Sequence, residues 1–350
     1  MQITAQSSPH VRKPNARVNR MMADVSIALS PLVIFAVFVH GLSGFFILLV
    51  SVLSMVITEY LFYQYGDIKK TKTFKLKNDS FTLGNFTVMT SGLIYGLILP
   101  DQIPLTVVAI GGAVGVFFAK LVFGGMGQNI FNIAGFARIF VVLAYGGLTR
   151  YVANVDATAG ATALGILNGN LGANPTETYS LWTLFSGIGL PGSLGETSAL
   201  LILAGGLYLL LRKSYDVFVP LTYLATVLVL SAAVMVFHGL NPVFPFVQLF
   251  GGGLMFAAIY MATDPVTMPV TRPGRIYYAF GIGLLTVLIR FFGNLPEGVV
   301  FAIVIMNMFV PAFDLPQFSK PKFTVRSASI FAGVVLIFTI ITVWGVSYVL

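Results

Sequence analysis

The chain contains no cysteine, and only 9% of its 350 residues are charged. The absence of cysteine excludes disulfides, cysteine-ligated zinc and cysteine-held iron–sulfur clusters within the chain, so any electron that it carries needs an organic cofactor. The scarcity of charge excludes an ordinary soluble globule, in which about a quarter of the residues are charged. Instead, 57% of the residues are hydrophobic and the mean hydropathy is +0.90. The composition therefore indicates an integral protein of the lipid bilayer.

Nucleotide-binding motifs are missing as well. The sequence has no phosphate-binding P-loop and no GxGxxG motif after a strand, and its three histidines are not spaced as metal ligands. The sequence therefore does not predict a nucleotide site built on either motif. The formal net charge of +8 does not indicate nucleic acid, because an excess of Lys and Arg in a membrane protein more often reports its orientation. The first 20 residues are polar and predict no cleavable signal peptide.

Eleven apolar runs approach the length of a bilayer crossing, which takes about 20 helical residues. They lie at 25–39, 44–63, 83–99, 103–122, 130–148, 198–211, 217–237, 244–261, 276–292, 298–313 and 328–350. The sequence therefore predicts an all-α polytopic membrane protein with about 10–11 transmembrane helices.

Positive residues are concentrated in alternate connecting segments. Sixteen of the twenty Lys and Arg residues lie before the first run, in 69–77, at 212–213, in 272–275 or in 320–326. By the positive-inside rule, these segments and the amino terminus face the cytoplasm. The segment 156–196 is then predicted to face outward.

Two stretches of the chain resemble each other. SGLIYGLILPDQIP at 91–104 aligns with GGLMFAAIYMATDP at 252–265, and further along Lys120 aligns with Arg290. In the predicted topology the two stretches cross the membrane in opposite directions, as in transporters built from inverted repeats. We therefore expect two inverted five-helix repeats plus an extra C-terminal helix. The predicted parts are a cytoplasmic amino-terminal segment at 1–22, a first repeat at 23–149, an outward-facing loop at 150–197, a second repeat at 198–314, and a loop and helix at 315–350.

The outward-facing loop contains the stretch DATAGATALGIL, which begins at Asp156. The hydroxyl of Thr162 is a nucleophile with little bulk around it, because Gly160 and Ala161 precede it and leave room for an enzyme to deliver a phosphate group. Thr158 is the alternative hydroxyl. A flexible loop of small residues is the plainer interpretation. The stretch resembles the flavin-attachment sequence of membrane redox pumps, whose last threonine is esterified by FMN phosphate.

Four stretches of the chain carry a resemblance to one known family: 7–12 (SSPHVR), 156–165 (DATAGATALG), 261–275 (MATDPVTMPVTRPGR) and 288–314 (LIRFFGNLPEGVVFAIVIMNMFVPAFD). They resemble the D subunit of the Rnf complex, an ion-pumping ferredoxin:NAD oxidoreductase of the bacterial or archaeal cytoplasmic (inner) membrane. The resemblance implies a covalent FMN on Thr162, a noncovalent riboflavin, a flavin transferase for maturation, and other membrane and peripheral Rnf subunits as partners. It also implies that electron transfer is coupled to translocation of Na⁺ or H⁺. Ala159 stands where the family usually has Ser or Thr, which bears on recognition by the transferase.

Several polar side chains lie within or beside the apolar runs, where they are costly and usually functional. We expect Asp264, Asp101 and Glu59 to mark an ion path, because a buried carboxylate beside broken backbone suits Na⁺ or H⁺. The alternatives are solvation at a helix end for Asp264 and simple pairing for Glu59. Arg138 and Asn132 are the candidate ligands of the second flavin.

Other residues have plainer expectations. Lys120 lies near the inner face, where its ammonium group can extend to the lipid headgroups, whereas Arg290 is a candidate to hold a flavin phosphate. The glycines, including GGG at 251–253, favour close helix packing. Glu196 is expected in the outer loop.

Two other functions are compatible with the helix pattern. One is a B-subunit-like protein of the sodium-pumping NADH:quinone oxidoreductase, although that protein normally has a longer amino-terminal extension. The other is a solute channel, because urea-transporter-like proteins share the inverted two-times-five arrangement. The motif around Thr162 discriminates between a redox pump and a channel, since a passive channel has no need of a flavin-bearing threonine.

Overall fold

A computed structural model describes residues 15–65, 86–125, 127–146, 164, 167, 180–187, 189, 192–293, 298–315 and 325–348. All regular structure within these ranges is helical. A bilayer offers no water to the backbone, so each spanning segment must satisfy its own N–H and C=O groups, and a helix does so. The predicted all-α polytopic architecture is confirmed.

The helices follow the predicted apolar runs closely. They are α1 (Asn15–Tyr65), α2 (Thr87–Leu97), α3 (Leu105–Val116, continued by a π-helical turn at Phe117–Leu121), α4 (Ile133–Tyr145), α5 (Leu181–Ser186), α6 (Ala199–Leu211), α7 (Phe218–His238), α8 (Phe244–Phe250), α9 (Leu254–Phe256, continued by a π-helical turn at Ala257–Met261), α10 (Arg272–Phe292), α11 (Gly298–Phe313) and α12 (Val325–Val346). Among these helices, the short α5 within the predicted outer loop has no counterpart among the runs.

The first two predicted helices are the two arms of α1, which is interrupted at Gly41. This glycine has φ 62° and ψ −142°, a conformation that side-chain-bearing residues rarely adopt. A Cβ added to Gly44 would lie 3.1 Å from the carbonyl oxygen of Ala36, eight residues earlier. In a continuous helix those residues would be about 12 Å apart. The chain therefore reverses at Gly41, and the arms 15–40 and 42–65 form a hairpin.

Helix length varies across the bundle. Within the described residues, four helices are long and apolar enough to cross a membrane, α1 being one of them, and the bent pair α8–α9 makes a fifth span. The bend between α8 and α9 is 58°. Five further apolar helices have 10–17 residues. Counting the arms of α1 separately, each of the eleven predicted runs contains helix.

The helix contacts are similar in the two predicted repeats. In the first, α3 packs on α1 and α4, and in the second, α10 packs on α7 and α11. Contacts between the two predicted repeats join α1 with α6 and α4 with α11. The inverted repeat itself stays a prediction. The final helix, α12, lies against α7 and α10 at the periphery.

Side-chain contacts divide the bundle into two ends. At one, the Asp24 carboxylate accepts hydrogen bonds from Ser214 Oγ (2.5 Å) and Arg212 Nε (3.1 Å). At the other, His40 Nδ1 lies 3.3 Å from Asp101 Oδ2. We call these the Asp24 end and the His40 end. Residues that the positive-inside rule assigns to the same face therefore contact each other.

We expect Gly41→Ala to lower the free energy of unfolding by about 1–2 kcal/mol, because alanine is strained at the φ and ψ that reverse the chain. Gly333→Ala is the matched control, because a Cβ added at Gly41 or at Gly333 meets no atom within 4 Å. Gly333 lies within α12, where we expect alanine to be neutral or to stabilise the protein by up to about 1 kcal/mol. Thermal unfolding of both variants in detergent provides the comparison. Equal midpoints would contradict the strained hairpin turn.

Candidate functional site

The predicted flavin-attachment residues lie outside the described part of the chain: Thr162, Asp156, Gly160 and Ala161, together with the alternative hydroxyl Thr158. The described geometry of this stretch begins two residues after Thr162. Leu164 is 3% exposed and Leu167 is fully buried. The stretch is therefore anchored in the bundle directly after the candidate threonine.

The anchor of Leu164 is the break between α8 and α9. Gly252 has φ +65°, and a Cβ added there would lie 2.7 Å from Leu164 Cδ1. A Cβ on Gly251 would lie 3.1 Å from Leu164 Cγ. These glycines were expected to favour close helix packing. Gly251 and Gly252 instead admit the Leu164 side chain of the loop, and they interrupt a span.

Arg290, in the last turn of α10, donates hydrogen bonds to the backbone at the break between α8 and α9. It is 3% exposed, and its Nη1 donates to the Gln248 carbonyl oxygen at 2.6 Å, while its Nη2 donates to that of Gly251 at 3.1 Å. These carbonyls end α8 and have no following turn of helix to bond them. Both Nη groups are therefore already bonded to backbone, so Arg290 is a structural clamp in this arrangement.

Glu196 also reaches the break. The Glu196 carboxylate lies so close to Gly253 that a Cβ added to this glycine would overlap it. The carboxylate also interacts electrostatically with Arg290. The preceding residues are held by backbone hydrogen bonds from Leu194 and Gly195 to the carbonyls of Leu99 and Leu97. Glu196, which was expected in the outer loop, thus lies between the end of α2 and the α8–α9 break.

Arg138 and Asn132, the candidates for a second flavin, contact different helices. Arg138 is 2% exposed in α4 and interacts electrostatically with the Tyr95 hydroxyl of α2. Asn132 caps α4 by accepting from Gly135 N–H at 3.0 Å, and its Nδ2 donates to the Met261 carbonyl at 3.3 Å. The structure does not gather Arg138 and Asn132 into one shell of ligands.

Asn307 joins this polar region and was not predicted. Its Oδ1 accepts from the Asn132 N–H at 3.0 Å, and its Nδ2 donates to the Thr267 carbonyl (3.0 Å) and to the Tyr278 hydroxyl (2.8 Å). Asn307 is 1% exposed. An amide in the apolar run 298–313 is itself a signal of such a role, because buried amides need several partners.

Glu59 forms a buried ion pair with Lys120. The Lys120 Nζ lies 2.8 Å from Glu59 Oε1, and the two side chains are 1% and 0% exposed. Lys120 lies in the π-helical turn that ends α3. The expectation that its ammonium group extends to the headgroups is wrong, because a buried carboxylate holds it inside. Pairing, the alternative considered for Glu59, is the arrangement found.

Asp264 follows α9 at the Asp24 end of the bundle. Its carboxylate accepts from Val266 N–H at 3.2 Å and from Thr267 Oγ1 at 3.1 Å. Burial raises the pKa of Asp264, against the smaller lowering effect of these two hydrogen bonds. The carboxyl group therefore takes up a proton more readily than an exposed aspartate does.

Asp101 lies at the opposite end from Asp264, in the segment between α2 and α3. It pairs with His40, whose side chain is 5% exposed. One oxygen of Asp101 and the Nε2 of His40 have no hydrogen-bond partner among the described residues. The three carboxylates of the predicted ion path thus occupy separate places, Asp101 at one end and Glu59 and Asp264 within other contacts.

The fold and these contacts define a class: a polytopic helical membrane protein whose buried charges are held by partners inside the bundle. Comparison with known sequences specifies the family. A model of the NQR2, RnfD, RnfE family matches residues 4–322, and the chain belongs to this family.

Individual relatives match along most of the chain. The D subunit of the proton-translocating ferredoxin:NAD(+) oxidoreductase complex of Clostridium ljungdahlii is 35% identical over 336 residues, which cover 92% of this chain and 96% of that protein. The D subunit of the Na(+)-translocating complex of Acetobacterium woodii is 33% identical, covering 92% and 95%. The B subunit of the Na(+)-translocating NADH-quinone reductase of Chromohalobacter salexigens is 38% identical over 238 residues, covering 64% and 56%.

We expect Lys120→Met to lower the free energy of unfolding by about 3–5 kcal/mol, because it leaves Glu59 charged and unpaired in the bundle. Adding Glu59→Gln to Lys120→Met should restore most of this loss, since no buried charge then remains. Thermal unfolding of the two variants and of Glu59→Gln alone gives the double-mutant cycle. Additive effects would show that the two groups do not form a pair.

Proposed function

We propose that the chain is the membrane subunit of an Rnf-type complex in which electrons pass through FMN on Thr162 and drive translocation of Na⁺ or H⁺. The observation that carries this proposal is the full-length similarity to two D subunits, whose names state both activities. In this proposal, ferredoxin and NAD react on other subunits, because this chain lacks a nucleotide-binding motif.

The small residues that precede Thr162 in the sequence, Gly160 and Ala161, suit attachment of a covalent FMN. The bound flavin would supply one- and two-electron redox chemistry, which no side chain here provides. Thr162 Oγ1 would form the phosphoester, and Leu164 fixes the chain two residues away by packing against Gly251 and Gly252. A tether of two residues spans at most about 7 Å. The described chain after the proposed attachment point therefore begins at Leu164, against the α8–α9 break.

The carboxylates Asp264 and Asp101 are proposed as groups on the ion path, with the Glu59–Lys120 pair beside it. Asp264 suits binding and release of a cation, because it is partly buried and follows a bent span, and because its carboxylate accepts only two hydrogen bonds among the described residues. Asp101 and His40 offer polar atoms at the other end. Reduction of a nearby flavin would change the local charge and so shift the balance between conformations of the bundle.

The proposal also specifies the membrane in which the chain lies and the orientation of the chain in it. The distribution of Lys and Arg supports a cytoplasmic amino terminus, with the Asp24 end inside and the His40 end outside. The flavin loop would then face outward from a bacterial or archaeal cytoplasmic membrane. The proposed partners are the other Rnf subunits, a flavin transferase and the lipid bilayer. Arg138 is retained as a ligand of noncovalent riboflavin, whereas Asn132 is already a helix cap.

A second candidate is the B subunit of a Na⁺-translocating NADH:quinone reductase. The match to the protein of that name is 38% identical but covers only 56% of its length, against 96% for the D subunit of Clostridium ljungdahlii. The difference in coverage favours the Rnf assignment. A solute channel is less consistent with these relatives, which are named as parts of redox complexes.

In-gel fluorescence of the denatured chain, co-expressed with a flavin transferase, tests the attachment site. We expect fluorescence in the wild type and in Thr158→Ala, and none in Thr162→Ala, because only Thr162 would carry the phosphoester. Fluorescence that survives in Thr162→Ala would refute the assignment. Its absence from every sample, despite a transferase active on another substrate, would favour the channel.

Asp264→Asn tests the ion path in the whole complex reconstituted in vesicles. We expect ion uptake to fall by an order of magnitude or more, because the amide has no charge to exchange with a cation, while the covalent flavin is retained. Asp314→Asn is a nearby control, since its carboxylate accepts from the backbone N–H groups of Val270 and Thr271. Equal ion uptake in wild type and Asp264→Asn would remove Asp264 from the path.

A further inference from the structure

The turn that carries Asp264 is bonded on both sides to asparagines of two other segments. Asn132 Nδ2 donates to the carbonyl oxygen of Met261 at 3.3 Å, three residues before Asp264. Asn307 Nδ2 donates to the carbonyl oxygen of Thr267 at 3.0 Å, three residues after it. The backbone N–H of Asn132 in turn donates to Asn307 Oδ1 at 3.0 Å. We call these two bonded residues, Asn132 and Asn307, the asparagine clasp.

Each amide group of the clasp has one orientation that satisfies its neighbours. Asn132 Oδ1 accepts from the Gly135 N–H at 3.0 Å, which leaves Nδ2 for the Met261 carbonyl. Asn307 Oδ1 accepts from a backbone N–H, and its Nδ2 also donates to the Tyr278 hydroxyl at 2.8 Å. Asn132 and Asn307 are 5% and 1% exposed. Because a buried amide without partners is costly, these bonds hold both side chains in place.

The clasp joins parts of the chain that are far apart in sequence. Asn132 caps α4 of the first predicted repeat, whereas Asn307 lies in α11 of the second. The helix α4 packs against α11, and a Cβ added to Gly135 in its first turn would lie only 3.3 Å from Met261 Cε. The position of the Asp264 turn therefore depends on the contact between these two helices.

The local hydrogen bonds of the Asp264 carboxylate do not anchor it to the bundle. The carboxylate accepts from the Val266 N–H and from Thr267 Oγ1. Both donors belong to the turn itself, so these bonds move with it. The clasp instead bonds the carbonyl groups on either side of the carboxylate to α4 and α11.

We propose that Asn132 and Asn307 are positioning residues for the Asp264 carboxylate. Bonded to each other and to the carbonyls of Met261 and Thr267, they keep the turn in one conformation and the carboxylate in place for a cation. Neither amide need touch the cation, because each is already bonded to groups of the protein. This inference rests on the proposed function, since it takes Asp264 as a group on the ion path.

The absence of cysteine from the chain allows a direct test of the turn. Val266→Cys provides a single thiol and keeps the backbone N–H that bonds Asp264, and a nitroxide on this thiol reports mobility by electron paramagnetic resonance. We expect a restricted label with the clasp intact and a mobile one in Asn132→Ser and in Asn307→Leu. Serine caps a helix about as well as asparagine, so Asn132→Ser removes the amide donor but keeps the cap.

Asn241→Ser is the matched control. Its Oδ1 also accepts from a backbone N–H, that of Val243 at 2.9 Å, but it follows α7 at the opposite, His40 end of the bundle. The control should leave the label restricted. Equal mobility in the parent and in both clasp variants, or equal effects of the control and the clasp variants, would overturn the proposal. If Asn307→Leu does not fold, Asn132→Ser decides.

A second measurement separates this inference from the proposed function. In the whole complex in vesicles, uptake of radioactive Na⁺ is measured directly and uptake of H⁺ with a pH-sensitive dye. For the ion that the wild type takes up, Asn132→Ser and Asn307→Leu should each raise the half-saturating concentration about tenfold and leave the maximal rate within about twofold. Apparent affinity falls in this way when only about a tenth of the molecules keep the binding-competent conformation.

The Asp264→Asn background shows whether the clasp acts through Asp264. There the clasp variants should have no further effect on uptake, whereas a purely structural defect would add to the loss. Undiminished uptake in Asp264→Asn would refute the proposed ion path and this inference with it. Loss of uptake in Asp264→Asn, together with unchanged half-saturation in both clasp variants, would refute the positioning role alone.

Discussion

In a bundle that lies in lipid, every charge and every free backbone carbonyl must find its partner inside the protein. The described polar contacts follow from this constraint. Glu59 has Lys120, Asp24 has Arg212 and Ser214, and the carbonyls that end α8 have Arg290. Each partner comes from a helix or segment distant in sequence. The same contacts that satisfy the charges therefore also fix how the helices are arranged.

The two predicted repeats satisfy this constraint with different chemistry. Lys120 and Arg290 are aligned by the predicted repeat, and each lies in the last turn of its helix. Lys120 binds a carboxylate, whereas Arg290 binds carbonyls of a broken span. Each cation also lies where the negative end of its helix favours positive charge. The two aligned cations thus stabilise different groups, a buried carboxylate in one case and unpaired backbone carbonyls in the other.

The sequence predicted the helices because each needs an apolar run of known length, and it separated the two arms of α1 because the run is interrupted between 39 and 44. The turn at Gly41 itself came from the structure. The sequence did not predict the break at 251–253, since the glycines lie within one continuous apolar run, 244–261. The sequence also did not reveal the partners of buried charges. An apolar run indicates that a charged Glu59 side chain is energetically costly, but it does not show that the Lys120 Nζ lies 2.8 Å from it. Contacts between distant segments depend on packing, which periodicity does not encode. The proposed attachment motif at Thr162 rests on resemblance, and it lies outside the described residues.

The 58° bend has a mechanical consequence. From Gly253 the chain continues through α9 to Asp264, a distance of about 16 Å at helical rise. A rotation of about 4° around the break would carry Asp264 sideways by about 1 Å over that length. The bent span is in this sense a lever arm whose pivot lies against Leu164 and whose tip carries a carboxylate.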